Sequence, residues 1–429
     1  MTEFEKAKEI LKKASRSGSR LGLERILELV SIFDNPQDKL KTIHVAGTNG
    51  KGSFCAMISA ALSACGYKTG TFSSPVMLEV NDCIRINGLP VDESVFAKAV
   101  FKIDAASKQM TDKPTEFEML TAVAFYIFWQ EKCDFAVVEC GMGGDTDSTN
   151  VISKPLISVI TNVTIDHKDY LGNTVSEIAS HKAGIIKSGV PVYFGGNDDE
   201  AYKVVLQAAK ANCSVLYRPD YESVSFPDNG DLNGDDVHIN YKGIDYCTPL
   251  RGSYQVCNLL NVLSCIDILA EQGISLSPEL VRKGIASVHW EGRFEKLCDD
   301  PLVIFDGAHN YDGMKELCNS IKRYFNGIKP VILIGVLADK DYRSYADMLR
   351  PLVNCAFAVA PDSPRALSSE KLAECFNGFG LDTKAFPDIA AGFDEAYSYC
   401  KLKQLPLFVI GSLYMYKDIK NALKKINSK

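Results

Sequence analysis

The sequence predicts an α/β fold in two domains: a larger N-terminal domain with a P-loop and a mostly parallel sheet, and a smaller C-terminal Rossmann-like domain. Short apolar runs alternate with helical patterns, a glycine-rich turn joins the first run to a helix, and a second α/β series starts after residue 295. The length of 429 residues also exceeds that of one usual hydrophobic core. We therefore expect domains over residues 1–295 and 296–429.

Composition and charge exclude several classes of protein. The chain has 47 basic and 54 acidic residues, which disfavours a cationic surface for nucleic acid or anionic lipid. The longest apolar stretch, residues 120–129, is too short to span a bilayer, and the N-terminus lacks the apolar core of a secretory signal. The 14 cysteines form no CxxC pair and are typical of buried residues in a reducing compartment. We expect a cytoplasmic protein with neither nucleic-acid nor membrane partners.

The N-terminal half carries the pattern of a helix-covered parallel sheet. Apolar residues at spacings of three and four predict helix from Phe4 to Val30, and Asn35-Pro36 ends it. A buried strand over 42–46, a glycine-rich turn and a helix over 54–65 follow. The remaining elements predicted here are strands over 135–139, 156–161 and 190–194 and helices over 114–129 and 174–187. This alternation favours parallel strands.

The second half begins with a change of character. Residues 214–250 are rich in Asp, Gly and Asn with short alternating runs, which predicts a small antiparallel excursion. A helix over 255–271 follows. The second α/β series then has predicted strands over 302–305, 331–334, 356–359 and 407–410, with helical segments between them.

The strongest local signal is a phosphate loop over Gly47, Thr48, Asn49, Gly50, Lys51, Gly52 and Ser53. Glycines let the backbone aim its N–H groups at a phosphate, and the following helix adds its positive N-terminal end. Lys51 would contact the outer phosphates, and the Ser53 hydroxyl can ligate Mg²⁺. Val45 stands where the usual pattern has its first glycine, so this is a variant loop. By itself it fits a kinase, a motor, a GTPase or a ligase.

Polar residues at strand and helix ends add candidates for the same chemistry. Glu139 ends an apolar strand, where a carboxylate is either a Mg²⁺ ligand or an exposed strand-end acid. Asn258 and Asn261 lie three apart on a predicted helix and could pair with a purine edge or merely be polar helix residues. Arg293 suits a contact with phosphate. Asp306 ends the first strand of the second domain, where it could contact a nucleotide, be a helix N-cap, or do both.

The order of several short motifs resembles one family. GTNGKGS at 47–53, read with SSPVMLEVNDCIRING at 73–88, is similar to the Mur ligase superfamily, and within it to the folylpolyglutamate synthase and dihydrofolate synthase branch. The further motifs that match are at residues 21–26, 35–37, 138–144, 166–167, 182–185, 290–293, 306–310, 337–341 and 411–412. Each is short, but together they cover nearly the whole chain in the family's order.

This resemblance implies ATP and Mg²⁺ as cofactors and assigns roles to residues. Its metal ligands correspond to Ser53, Ser74, Glu139 and His167, and its catalytic residues to Lys51, Lys182 and His167. The family's counterpart of Lys182 is carbamylated, which converts an ammonium into a carboxylate-like group. Besides the loop, the implied ATP contacts are Asn258 at the adenine, Arg293, Asp306 and His309.

The implied substrates are L-glutamate and either dihydropteroate or a reduced folate. The family's pterin pocket uses the segment that contains Phe117 and Glu118, although a core position is the commoner fate of a phenylalanine. Asp145 is a departure, because related sequences commonly have arginine there. The contact of that position with the substrate is therefore open.

The resemblance implies a two-step reaction on ATP bound between the domains. A substrate carboxylate takes the γ-phosphoryl group to form an acyl phosphate, and the amine of glutamate then displaces phosphate. The alternatives are a Mur-type ligase for another acid and a nucleotide-binding relative without turnover. The joint presence of Lys51, Ser53, Glu139, His167 and Lys182 argues against the latter. We expect a monomer.

Overall fold

The computed structural model describes residues 1–15, 18, 20–225 and 237–427. Internal contacts divide this part of the chain into two compact units. Of the described residues, the first contains those within 1–225, 238–249 and 256–289, and the second contains 237, 250–255 and 290–427. Each unit is a helix-covered sheet, so the predicted α/β class is confirmed.

The first unit is built around an eight-stranded sheet. Its helices are α1 (Glu3–Ala14), α2 (Glu24–Ser31), α3 (Lys51–Ala64), α4 (Glu93–Ser107), α5 (Glu116–Gln130), α6 (Lys168–Leu171), α7 (Val175–Ala183), α8 (Asp199–Ala211), α9 (Gln255–Glu271) and α10 (Pro278–Ala286). Its strands are β1 (Lys41–Ala46), β2 (Thr69–Phe72), β3 (Ile84–Ile86), β4 (Leu89–Pro90), β5 (Phe135–Glu139), β6 (Ile157–Ile160), β7 (Val192–Phe194), β8 (Leu216–Tyr217), β9 (Val224–Ser225), β10 (Val237–Tyr241) and β11 (Ile244–Thr248).

The strand order of the large sheet is β4-β3-β2-β5-β1-β6-β7-β8. Six neighbouring strands are parallel, namely β2, β5, β1, β6, β7 and β8. Strands β3 and β4 add an antiparallel edge. Strands β5 and β6 are buried along their whole length, which explains their continuous apolar sequences. The predicted mostly parallel sheet is therefore confirmed.

The register brings the carboxyl ends of four strands together at one edge of the sheet. Val45 pairs with Glu139, Ala46 pairs with Ile160, and Phe72 at the end of β2 pairs with Val138. The loops that follow β2, β5, β1 and β6 therefore leave the sheet side by side. Open parallel sheets bind their ligands at this edge.

Several predicted elements have different bounds. The helix predicted from Phe4 to Val30 is two helices, α1 and α2, because glycines at 18 and 22 with positive φ interrupt it. Helix α7 ends at Ala183 rather than at residue 187. Beyond Ala183 the backbone hydrogen bonds join residues three apart, from Ile185 to Lys182 at 3.3 Å and from Ile186 to Ala183 at 3.0 Å, so the α-helical pattern has ended. Helix α9 has the predicted bounds, 255–271.

The antiparallel excursion predicted over 214–250 is confirmed in part. Strands β9, β10 and β11 form a separate three-stranded sheet in which β9 and β10 are antiparallel. However, β8 pairs in parallel with β7 and so extends the large sheet. Residues 226–236 of this prediction lie outside the described residues.

The second unit contains a six-stranded sheet in the order β12-β13-β17-β14-β15-β16, which is parallel except for β12. Its elements are β12 (Glu295–Asp299), β13 (Leu302–Asp306), α11 (Tyr311–Phe325), β14 (Val331–Ile334), α12 (Tyr342–Leu349), β15 (Ala356–Ala358), α13 (Ser369–Gly378), β16 (Thr383–Ala385), α14 (Ile389–Lys403), β17 (Leu407–Ile410) and α15 (Tyr416–Asn427). The four strands predicted for this half correspond to β13, β14, β15 and β17. In the described residues, no helix is both long and apolar enough to cross a membrane.

Candidate active site

The phosphate loop lies between β1 and α3 at the carboxyl edge of the large sheet. Gly47 has φ +151° and Gly50 has φ +86°, values that side-chain-bearing residues rarely adopt. A Cβ at Gly47 would also collide with the Thr161 hydroxyl. Helix α3 begins at Lys51, so the N–H groups of its first turn are directed at this loop. The arrangement is that of an anion site at a helix N-terminus.

Two lysines converge on the carbonyl oxygen of Gly47. The Lys51 ammonium donates to it at 3.0 Å, and the Lys182 amine donates to it at 2.8 Å. Lys51 Nζ also lies 4.0 Å from a carboxylate oxygen of Glu139. Lys182 is 3% exposed. Its burial, and to a smaller extent the nearby charge of Lys51, lowers its pKa to about 7. A substantial fraction of Lys182 is therefore neutral at neutral pH.

The four predicted metal ligands follow four neighbouring strands. Ser53 is buried in the first turn of α3, and Glu139 is buried at the end of β5. Ser74 comes two residues after β2, and His167 follows β6 with φ +51°. The His167 N–H donates to the neighbouring Asp166 carboxylate at 2.8 Å. Strand order thus brings these residues to one edge.

The donor chemistry at this edge fits Mg²⁺. A hydroxyl and a carboxylate are hard oxygen ligands, and Mg²⁺ is usually held by one or two of them together with phosphates and water. Among the described residues, no group of three or more His, Cys, Asp or Glu side chains could hold a metal ion. Ser53 and Glu139 are the residues that would hold Mg²⁺ beside a bound nucleotide, with Ser74 and His167 as further candidates.

The two asparagines of α9 have different surroundings. The Asn258 amide lies against the phosphate loop, since a Cβ at Gly50 would be 2.5 Å from its Oδ1. Asn261 instead accepts a hydrogen bond from the Tyr193 hydroxyl at 3.0 Å. Asn258 is therefore placed beside the loop, and Asn261 ties α9 to β7.

In the second unit, Asp306 ends β13 with a buried carboxylate. It accepts hydrogen bonds from the Tyr254 hydroxyl at 2.7 Å and from the backbone N–H groups of Phe294 at 2.9 Å and Ala308 at 2.8 Å. Burial raises its pKa, and the charge of Arg293 opposes that shift. These three donors orient the carboxylate and fix the turn that follows β13.

The alternative role of Asp306 as a helix N-cap is wrong. Helix α11 is capped by Asn310, whose side chain accepts from the Gly313 N–H at 2.8 Å. The His309 imidazole bonds to the Gly307 carbonyl at 2.7 Å, and a Cβ at Gly307 would lie 2.5 Å from a guanidinium nitrogen of Arg293. Arg293, Asp306 and His309 thus surround one turn.

The segment predicted to bind a pterin supplies one suitable side chain. Phe117 is half-buried at the start of α5, with its ring 5.8 Å from that of Phe72. A Cβ at Gly141 would lie 2.6 Å from the Phe117 ring, so the aromatic side chain covers the turn after β5. Phe117 therefore lies at the carboxyl edge of the sheet.

Glu118, the second residue predicted to contact the pterin substrate, has a structural role in the fold. Its carboxylate is 2.9 Å from the Arg25 guanidinium and accepts from the Thr115 N–H at 2.7 Å, which completes a capping box on α5. The residue is 1% exposed. The carboxylate is therefore buried between the Arg25 guanidinium and the first turn of α5, and its contact with the substrate stays a prediction.

Asp145 contacts a histidine at the position where the family commonly has arginine. Its carboxylate lies 2.9 Å from Nδ1 of His181, and its backbone N–H donates to the His181 carbonyl at 2.8 Å. The Asp145 side chain is 39% exposed. The aspartate is therefore accommodated by a histidine on α7, next to Lys182.

Sequence reasoning missed residues that hold the site loops. Asp147 is buried and accepts from the N–H groups of Met142 at 2.8 Å and Thr149 at 3.0 Å, which folds the turn after Glu139. Asn162 accepts from the Asn49 N–H at 2.7 Å. For Asn162, the available signal was its position just after a predicted strand.

The turn after β5 leaves no room for a side chain at Gly144. A Cβ there would lie 2.6 Å from the His181 carbonyl oxygen and 2.9 Å from that of Lys182. We expect Gly144→Ala to lower the free energy of unfolding by roughly 1–3 kcal/mol, because backbone atoms must move. Gly378→Ala is the control, since nothing lies within 4 Å of its Cβ position. Urea denaturation measures both, and equal stabilities would contradict the prediction.

The chain matches domains and proteins of known families. The Mur ligase middle domain matches residues 45–266, and the glutamate ligase domain of Mur ligases matches residues 292–410. A folylpolyglutamate synthase from Lacticaseibacillus casei is 36% identical, with 93% of this chain and 94% of that protein covered. A dihydrofolate synthase/folylpolyglutamate synthase from Bacillus subtilis is 32% identical, with 99% and 100% covered.

A solved structure agrees with these matches. Mycobacterium tuberculosis folylpolyglutamate synthase complexed with ADP and AMPPCP superposes with a TM-score of 0.88 at 28% identity, covering 100% of this chain and 98% of that one. Fold and site define a Mur-type, ATP-dependent ligase. Within that class, the chain belongs to the folylpolyglutamate synthase/dihydrofolate synthase family of glutamate ligases.

Proposed function

We propose that this enzyme joins L-glutamate to the carboxylate of dihydropteroate or of a reduced folate, with the chemistry centred on residues 47–53. The observation that carries the proposal is the convergence of Lys51 and Lys182 on the Gly47 carbonyl, with Glu139 4.0 Å from Lys51. Such a cluster of charges at a helix N-terminus suits a triphosphate. The names of the relatives support a folate or dihydropteroate acceptor.

The first step transfers the γ-phosphoryl group of ATP to the acceptor carboxylate. The N–H groups of the loop and the Lys51 ammonium stabilise negative charge that builds up on the phosphoryl oxygens. An oxygen of the carboxylate forms the new bond to phosphorus, the bond to the bridging oxygen breaks, and ADP leaves. Mg²⁺, when bound by Ser53 and Glu139, supplies further charge neutralisation.

The second step forms the amide. The neutral amine of glutamate attacks the carbonyl carbon of the acyl phosphate, and inorganic phosphate leaves as the amine loses a proton. We propose that Phe117 packs on the pterin and Asn258 contacts the adenine. Arg293, Asp306 and His309 contact the nucleotide. Asp306 shapes the turn that presents His309. We also propose that Asp145, which is bonded to His181, contacts the folate or dihydropteroate substrate.

We assign the ATP-binding domain to residues 1–295 and the glutamate ligase domain to residues 296–429. The enzyme acts in the cytoplasm as a monomer on small molecules, without nucleic-acid or membrane partners. The acidic balance of the chain supports the absence of nucleic-acid binding.

Lys182 is proposed to be carbamylated. A neutral amine attacks CO₂, a C–N bond forms, and one proton is released, which leaves a carbamate anion. The depressed pKa of about 7 supplies the neutral amine. The carbamate would place a negative charge near the Lys51 ammonium at the Gly47 carbonyl, where a protonated Lys182 would repel it.

The carbamylation rate should therefore depend on pH. The neutral fraction of an amine with a pKa of about 7 rises roughly tenfold from about pH 6 to about pH 8. We expect enzyme stripped of CO₂ to regain activity roughly tenfold faster at the higher pH when dissolved CO₂ is held constant. Carbon-13 NMR with labelled CO₂ identifies the carbamate, and Lys182→Arg is the control. An unlabelled Lys182 in active enzyme would contradict this proposal.

Phosphate release tests the acceptor. The purified chain with ATP, Mg²⁺ and L-glutamate should release phosphate only when dihydropteroate or tetrahydrofolate is added. Parallel assays with each acceptor decide whether one or both reactions occur. Release driven instead by a UDP-muramyl substrate would replace the proposed acceptor by that of another Mur-type ligase.

A further inference from the structure

The segment that follows β6 is hydrogen-bonded to residues 48 and 49 of the phosphate loop. The backbone N–H of Thr48 donates to the Asn162 carbonyl at 3.0 Å, and the N–H of Asn49 donates to the Asn162 side-chain oxygen at 2.7 Å. One asparagine thus accepts from two consecutive residues of the loop. The Thr161 hydroxyl donates to the Asn49 carbonyl at 2.7 Å.

The side chain of Thr48 adds two hydrogen bonds between the loop and the same segment. The Thr48 hydroxyl donates to the Thr164 carbonyl at 3.1 Å and accepts from the Thr164 N–H at 3.1 Å. The side chain of Thr48 thereby takes the place of a backbone strand partner. Residues 48–49 and 161–164 form a closed set of hydrogen bonds on the side of the loop that faces the neighbouring strand.

These contacts fix the backbone of the loop without a ligand. The N–H groups of Thr48 and Asn49 are engaged by Asn162, so the orientation of residues 48 and 49 is set before an anion binds. Preorganised donors stabilise charge because they need not reorient when the ligand binds. Asn162 therefore contributes to nucleotide binding by fixing the conformation of the phosphate loop.

We infer that Asn162 and Thr48 are positioning residues that hold the phosphate loop in its nucleotide-binding conformation. This inference rests on the proposed function of residues 47–53. The residues act through the backbone of Asn49 and through Thr164, and neither side-chain contact requires the nucleotide. The same segment leads directly to Asp166 and His167, so it also links the loop to that candidate metal ligand.

The variants separate positioning from folding. Asn162→Leu keeps a similar volume but removes the acceptor, and Thr48→Val removes the hydroxyl while Thr48→Ser restores it. Asn212→Leu is the matched control, because Asn212 is a partly buried asparagine at the end of α8. If Asn162→Leu does not fold, the comparison of Thr48→Val with Thr48→Ser still tests whether these hydrogen bonds position the phosphate loop.

The measurements are titration of each full-length variant with ADP and Mg²⁺ and steady-state kinetics. We expect Asn162→Leu and Thr48→Val to weaken ADP binding roughly tenfold and to raise the KM for ATP, with the KM values for glutamate and acceptor unchanged. Asn212→Leu should bind ADP like the unchanged chain, and Thr48→Ser, which keeps the hydroxyl, should bind ADP more tightly than Thr48→Val.

Two results would overturn the inference in different ways. If the unchanged chain binds ADP and the folded Asn162→Leu and Thr48→Val variants bind it equally well, the positioning role is wrong and the proposed function stands. If the unchanged chain binds no ADP, the proposed function of residues 47–53 fails, and the positioning role fails with it.

Discussion

Replacing Lys51 by alanine is expected to lower the rate of glutamate coupling by roughly three orders of magnitude, because one cation that faces the transferred phosphoryl group is lost. Lys51 is the first residue of α3, with its Nζ 3.0 Å from the Gly47 carbonyl and 3.2 Å from that of Thr48. Alanine is well tolerated in a helix, so the fold should remain.

The measurement is the formation of glutamylated product at saturating ATP, with circular dichroism as the check on folding. Lys203→Ala is the control, since Lys203 is an exposed lysine on α8. It should couple glutamate at the normal rate. A Lys51→Ala enzyme that works at the unchanged rate would remove the basis for placing the triphosphate at residues 47–53.

Replacing Arg25 by methionine is expected to lower the free energy of unfolding by about 3–5 kcal/mol. The Arg25 guanidinium is 2.9 Å from the Glu118 carboxylate, and the two residues are 6% and 1% exposed. Losing the cation leaves a buried carboxylate without its partner, which costs more than the pair itself contributes. Urea denaturation of the first unit's transition measures the loss.

An exposed ion pair nearby provides the comparison. Arg20 contacts Asp112 at 2.7 Å, but these side chains are 44% and 50% exposed, so Arg20→Met should cost at most about 1 kcal/mol. The double variant Arg25→Met/Glu118→Gln should recover part of the loss, because glutamine leaves no buried charge. Equal destabilisation by Arg25→Met and Arg20→Met would contradict the buried-charge argument.

Local sequence signals predicted the elements that carry the site. The apolar run before Gly47, the helix after it and the strand before Glu139 were all placed correctly, because each signal lies within a few residues of its element. Strand β2 and the hairpin of β3 and β4 were missed. They are short, and glycine and threonine in β2 give no apolar pattern.

The sequence alone determined the α/β class, the phosphate loop and the acid that ends β5, since these depend on neighbouring residues. Tertiary structure decided what the polar side chains do. Glu118 meets Arg25 from 93 positions away, and Asn49 meets Asn162 from 113 positions away. The first contact depends on the packing of α2 near α5, and the second depends on the strand order that places β6 beside β1. No local pattern specifies either arrangement. A hydrogen-bonding side chain therefore acquires its role only once the sheet has brought its partner within reach.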